Sequence, residues 1–170
     1  MGTALFVGRF QPFHNGHLEV INEIAAQADK LLIAIGSAQD SHTLEDPFTA
    51  GERHLMISET LDELGVANYF IIPVVDINRY SVWVAHVKSL LPPFDVIFTN
   101  NDLTARLFSE AGVEVRRTKV YNREMYSGKK IRELMIGGGD WQSLVPAGTV
   151  RVIESMGGVK RLRELAGDSE

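Results

Sequence analysis

Two histidines three residues apart, His14 and His17, close the stretch Gly8-Arg9-Phe10-Gln11-Pro12-Phe13-His14-Asn15-Gly16-His17. At the start of a helix that spacing puts both imidazoles on one face. Each ring offers an N–H donor and can carry charge near neutral pH. Arg9 adds a forked donor suited to phosphate oxygens. Gly16 lets a nucleotide lie against backbone with no Cβ in the way, and Pro12 stiffens the approach. The block holds no carboxylate and no serine or cysteine nucleophile. These residue types fit the stabilisation of charge on phosphate, not attack on a carbonyl.

The elements around the block must hold those groups in place. Apolar runs at 4–7, 31–35, 69–75, 96–98 and 113–115 read as strands buried on both faces. Helical segments alternate with them. Leu18, Ile21, Ala25 and Ala28 mark the first helix by their spacing. Thr49-Ala50-Gly51-Glu52 is a capping box for a second helix, lined by Ile57, Leu61 and Leu64 and ended by Gly65. A third spans 81–91 and stops at Pro92-Pro93. A fourth spans 103–110 and ends at Gly112. Beyond Ser127 the pattern is helical, near 127–136, 146–156 and 158–166. This order predicts a Rossmann-like doubly wound α/β fold with a five-stranded parallel sheet and a C-terminal helical segment. It is read as a single domain over residues 1–170. The histidine block then falls at the carboxyl end of the first strand, where such sheets bind ligands. The helix N-terminus that follows suits phosphate.

Other groups converge on the same chemistry. In Tyr126-Ser127-Gly128-Lys129-Lys130-Ile131-Arg132, Ser127 is a good N-cap, and the helix it starts turns free N–H groups toward an anion. Lys130 or Arg132 is placed to close over the same phosphates. The alternative is an ordinary capped helix with surface cations. Gly36-Ser37-Ala38-Gln39-Asp40-Ser41-His42-Thr43 follows the second strand and reads as a small polar loop over a ligand. Asp46-Pro47-Phe48-Thr49-Ala50-Gly51-Glu52-Arg53 continues it. Asp76 stands at the end of the third strand and Trp83 at the start of the next helix. A tryptophan there stacks on a flat ring or fills a core, and Asp76 orients a ribose or amide or caps the helix. Asn101, after the fourth strand, touches a nucleotide or is ordinary turn sequence.

Composition narrows the classes. The chain has 170 residues, no cysteine and a net charge of −5. Disulfides and cysteine-ligated zinc are excluded, and a reducing cytoplasm fits. No basic leader and no apolar run of membrane-spanning length is present, so neither secretion nor a membrane partner is expected. Residues 1–100 hold five basic and twelve acidic side chains, a net of −7. Residues 101–170 hold twelve and ten, a net of +2. Seven cations (Arg116, Arg117, Lys119, Arg123, Lys129, Lys130 and Arg132) crowd 116–132 against Glu124 alone. An acidic chain with one cationic stretch does not fit a general nucleic-acid binder. It suits a small polyanion such as a nucleoside triphosphate.

Together these residues resemble the archaeal-type nicotinamide-nucleotide adenylyltransferases, within the nucleotidyltransferase superfamily that shares the H-x-G-H motif. The likeness runs from Gly8 to about Leu165. G-R-F-Q-P-F-H-N-G-H and S-G-x-x-I-R mark the superfamily. G-S-A-Q-x-S-H-T, D-P-F-T-A-G-E-R and the W-V-x-H of Trp83–His86 look specific to this branch. The resemblance implies transfer of AMP from ATP to nicotinamide mononucleotide (NMN), giving NAD and pyrophosphate, with Mg²⁺ carried on the ATP phosphates and no protein metal cage. It implies His14, His17, Arg9 and Arg132 as catalytic groups. ATP would lie on Gly8, Arg9, Phe10, His14, Gly16, His17, Ser127, Gly128, Lys130 and Arg132. NMN or NAD would lie on Ser37, Gln39, Asp76, Tyr80, Trp83 and Asn101. A cytoplasmic homo-oligomer is expected, a hexamer among the possibilities. Three positions depart from the pattern: Lys129 replaces a frequent threonine, Tyr80 a frequent asparagine that bears on nicotinamide selectivity, and Asp102 a frequent proline. Transfer to another phosphate acceptor such as phosphopantetheine, and a non-catalytic nucleotide sensor, are the competing readings.

Overall fold

A computed structural model describes residues 2–119, 121–122 and 124–167; Arg123 of the cationic stretch lies outside them. Five strands, β1 (Thr3–Gly8), β2 (Lys30–Ile35), β3 (Tyr69–Pro73), β4 (Val96–Phe98) and β5 (Glu114–Arg116), form one sheet in the order β3-β2-β1-β4-β5. All pairings are parallel, with Gly8 opposite Ile35 and Phe6 opposite Phe98. This is the doubly wound order, which reverses direction at β1. Helices α1 (Asn15–Ala25), α2 (Ala50–Glu63), α3 (Trp83–Leu90) and α4 (Asp102–Glu110) connect the strands. Helices α5 (Gly128–Gly137), α6 (Ala147–Ser155) and α7 (Gly158–Leu165) follow.

The elements run close to the sequence reading, with four corrections. The third strand stops at Pro73, not at residue 75, because β3 is an edge strand whose single neighbour, β2, ends at Ile35. The fifth is shifted one residue onward, paired as Val96–Glu114 through Phe98–Arg116. The first helix ends at Ala25, so Ala28 lies beyond it; the Asp29 amide donates to the Gly2 carbonyl at 3.0 Å and turns the chain into β2. Leu64 is 57% exposed, because α2 ends one residue before it and the buried face is Arg53, Met56, Ile57, Thr60 and Leu61.

Close contacts divide the chain into two compact units. The first holds the sheet (residues 2–8, 20–38 and 68–119). Its core joins Leu5, Leu32, Ala34 and Ile97 to Val84, Val87 and Phe108. The second holds residues 9–19, 39–67 and the described residues from Tyr121 onward. In it the capping box is complete: Thr49 Oγ1 accepts from the Glu52 amide, and Glu52 Oε1 from the Thr49 amide. Arg161 of α7 grips the Glu52 carboxylate with both Nη atoms, at 2.7 and 3.0 Å, and donates to the Pro47 carbonyl. Gly148 brings α6 against α2, since a Cβ there would fall 2.9 Å from the Thr60 amide.

Candidate active site

The last residue of β1 hands the chain to a loop dense with hydrogen bonds. Phe10 is buried with a left-handed φ of 56°. The Gln11 side chain bonds both ways with Phe48: its Nε2 donates to the Phe48 carbonyl and its Oε1 accepts from the Phe48 amide, each at 2.9 Å. Arg53, wholly buried in α2, donates to the carbonyls of Thr49, Arg9 and Asp40 at 2.9–3.2 Å. The Arg9 and Asp40 carbonyls are thereby satisfied, the Thr49 carbonyl also takes the Arg53 amide at 3.0 Å, and the histidine loop is tied to the loop ahead of α2.

The imidazoles stack. The His14 and His17 centroids are 3.6 Å apart at 20°, and Phe13 also stacks on His17, at 5.7 Å and 8°. Phe10 meets His17 edge-on at 4.8 Å. The Gly16 amide donates to His14 Nδ1 and the His14 amide to His17 Nδ1, each at 3.1 Å. An Nδ1 that accepts from a backbone amide carries no proton, so in each neutral ring the proton sits on Nε2. Burial pushes the His14 pKa down to about 4. It lowers the His17 pKa too, with His14 repulsion adding to the effect. Both rings are neutral Nε2–H donors at neutral pH, where residue type alone would allow a charge. Gly16 also makes room within the protein. A Cβ there would fall 2.9 Å from Tyr126 Cβ and 3.0 Å from the His14 ring, so the missing side chain admits His14 itself.

A cavity of about 670 Å³ opens on these groups. Its walls carry the cations Arg9, Lys129 and Arg132, then His14, His17, Phe10, Gln11 and Gly128. The carboxylates Glu45, Asp46 and Glu133 and the apolar Leu44 and Ile136 complete it. Arg132 Nη1 donates to the Gln11 carbonyl at 2.8 Å, and Gly128 leaves the room: a Cβ there would lie 2.7 Å from that nitrogen. Ser127 caps α5 by accepting from the Lys130 amide at 3.2 Å. The Lys130 side chain is exposed, and Lys129 is the lysine on the cavity wall. Arg9 pairs with Asp46 at 2.6 Å. The other Asp46 oxygen is buried with no hydrogen-bond partner, so this carboxylate is held chiefly by the guanidinium field around it.

A second group lies in the sheet-bearing unit. Ser37 Oγ donates to Asp76 Oδ2 at 2.8 Å, just past the ends of β2 and β3. Tyr80 opens a 3-10 turn, is 68% exposed, and leads into Trp83. Trp83 is half-buried, packs edge-on to Phe108 at 5.6 Å, and thus belongs partly to the core. His86 Nε2 donates to the Val75 carbonyl at 2.7 Å. Asn101 caps α4 through its side-chain oxygen, accepting from the Thr104 amide. Gln39 is exposed and falls in the other compact unit from Ser37. Gln11, Asp46, Arg53 and His86 also shape the site; they stand inside the quoted motifs, which give them no individual role. Arg53 left a further signal, an arginine in register with Met56, Ile57 and Thr60 on the buried face of a helix.

Known proteins align with this arrangement. The chain matches the cytidylyltransferase-like family over residues 5–134. It is 53% identical over 167 residues to the nicotinamide-nucleotide adenylyltransferase of Picrophilus torridus, covering 98% of this chain and 99% of that one. Identity to the enzyme of the same name from Archaeoglobus fulgidus is 53% over 169 residues, covering 96% and 97%. Among solved structures, a bifunctional NMN adenylyltransferase/ADP ribose pyrophosphatase from Francisella tularensis, complexed with AMP and a Mn ion, superposes with a TM-score of 0.79 at 20% identity. This chain covers 98% of itself in that match and spans about half, 52%, of the bifunctional chain.

Proposed function

The chain belongs to the nicotinamide-nucleotide adenylyltransferases, within the cytidylyltransferase-like family, and on that premise we propose how its residues divide the work. The reaction transfers AMP from ATP to NMN and releases pyrophosphate as NAD forms. The cavity of Arg9, His14, His17, Lys129 and Arg132 receives the ATP triphosphate. The start of α5, headed by Ser127 and Gly128, takes the outer phosphates, with Lys130 near its first turn. Gly8, Phe10 and Gly16 shape the backbone that brings the histidines there. Ser37, Asp76, Tyr80 and Trp83 receive the acceptor nucleotide, Trp83 against its ring, with Gln39 and Asn101 at the margins. We take residues 1–170 as a single nucleotidyltransferase domain.

The observation that carries this reading is the pairing of two neutral Nε2–H donors with three cations on one cavity. The attacking group, the phosphate of NMN, is already ionised and requires no general base. Catalysis reduces to alignment and to offsetting charge as the α-phosphorus is attacked in line. His17, stacked on both His14 and Phe13, is assigned to that phosphorus. Arg9 and Arg132 hold the departing pyrophosphate.

Among the described residues no group of three or more His, Cys, Asp or Glu is placed to hold a metal. The carboxylates Glu45 and Asp46 share the cavity wall with the cations. That donor set fits a divalent ion brought in on phosphate oxygens. We assign Mg²⁺, which neutralises phosphate charge when bound as part of the nucleotide. No helix among the described residues is long and apolar enough to cross a membrane. With no cysteine, this supports a cytoplasmic enzyme, which we take to be a homo-oligomer without nucleic-acid partners. The test is an assay of the purified chain with Mg·ATP and a panel of phosphate acceptors. NAD and pyrophosphate in equal amounts from NMN are expected, with no product from phosphopantetheine. Turnover of phosphopantetheine in preference to NMN would overturn the acceptor assignment.

A further inference from the structure

We propose that His86 is a positioning residue that holds Asp76 and Trp83 in one register for the acceptor nucleotide; this rests on the acceptor pocket assigned above. His86 follows Trp83 by three residues on α3, which places the two one turn apart on adjoining sides of the helix. Its imidazole is half-buried, and Nε2 lies 2.7 Å from the Val75 carbonyl. A carbonyl only accepts, so Nε2 bears the proton.

The segment so held needs holding. Val74, Val75 and Asp76 lie past the end of β3, where no strand pairs with them. Each is fastened separately. Val74 donates to the Ile35 carbonyl at 2.8 Å and accepts from the Ala38 amide at 3.0 Å. Val75 is taken by His86, and Asp76 by Ser37. The first and third fasteners come from the last residue of β2 and the chain just after it. The second comes from the helix that carries Trp83, whose ring is braced by Phe108. The His86 bond therefore links the element bearing the ring contact to the loop bearing the carboxylate. Without it, α3 and the 74–76 segment lose a direct tie, and the distance between indole and carboxylate is less fixed.

The test is steady-state kinetics on the full chain for His86→Ala, His86→Gln and Asp76→Asn, varying NMN and ATP separately. His86→Ala is expected to raise KM for NMN ~10-fold, the size of one lost side-chain-to-backbone bond, with kcat and KM for ATP within about twofold. His86→Gln, which keeps a donor at similar reach, should recover most of the loss. Should His86→Ala fail to fold, His86→Met set against His86→Gln decides, since the two match in length and differ in the donor. An unchanged KM for NMN in the donor-less variant overturns the proposal. So does an equal rise in both KM values, which marks general loosening. If Asp76→Asn raises KM for NMN while His86→Ala does not, only the role of His86 falls. If neither raises it, the acceptor pocket falls as well.

Discussion

The two groups of residues proposed for the reaction are built on different physics. The phosphate cavity uses charge in excess: Arg9, Lys129 and Arg132 on its wall, Arg53 buried behind it, and Asp46 and Glu45 set among them. Its histidines, the residues best known for carrying charge, are kept neutral by stacking and burial. The acceptor ledge of Ser37, Asp76 and Trp83 has little charge. It relies on hydrogen bonds between loop ends and on a ring braced by the core. A polyanion is thus met by a field that many groups share, and a flat ring by a few contacts of fixed geometry. Losses should be broad and severe in the first region, selective and modest in the second.

The severest loss should come from Arg53. Arg53→Met leaves the part-buried Arg9 and Asp40 carbonyls without that donor, while Thr49 keeps the Arg53 amide, and should destabilise the fold by about 3 kcal/mol, at roughly 1.5 kcal/mol for each carbonyl left unsatisfied, read from urea unfolding. A loss under 1 kcal/mol would mean that solvent replaces the guanidinium and that the field is less shared than described. Next is His17→Ala, expected to lower kcat by ~10²-fold or more, as for removal of a charge-stabilising donor, while ATP affinity changes far less. Equal, small changes in both would move His17 off the reacting phosphorus. Trp83→Ala should raise KM for NMN ~10-fold, in the range for loss of one aromatic stacking contact, and leave ATP binding alone. A selective loss of ATP binding would erase the distinction between the two regions.

The smallest effect sharpens the contrast by pH. The folded-state pKa of His14, about 4, lies below its ordinary 6.5. As pH falls, the unfolded chain takes up the proton first. Stability present above pH 6.5 is therefore lost progressively down to about pH 4. Between pH 7 and pH 5.5 this amounts to about 1 kcal/mol for His14 alone, and burial of His17 adds in the same direction. The urea midpoint should fall over that interval, and less steeply in His14→Asn. A midpoint independent of pH would mean that the rings are not held neutral by their surroundings.

Much of this is legible in the sequence. Continuous apolar strands, the Thr49 box and the glycine stops locate each element to within a few residues, because local chain chemistry sets them. The histidine block was legible because its residue types have few other uses together. What escaped depends on long-range packing. Leu64 continues the periodicity of Ile57 and Leu61, but a helix end takes it off the buried face. That Gly16 also makes room for Tyr126 and the His14 ring is a matter of packing that its place in the motif does not show. The neutrality of the imidazoles follows from Phe10 and Phe13 folding back on His17, which spacing does not express. Arg53 looks like a surface cation until its three carbonyl partners, two of them in separate loops, are seen together.

The grip of Arg161 on Glu52 and Pro47 gives the carboxyl-terminal helix a part in chemistry it never touches. A shortened chain ending at Ser155 would retain every side chain that lines the phosphate cavity. It would lose the brace under the turn that carries Asp46. Such a truncation would keep the instruments of the reaction and remove the bench they are bolted to.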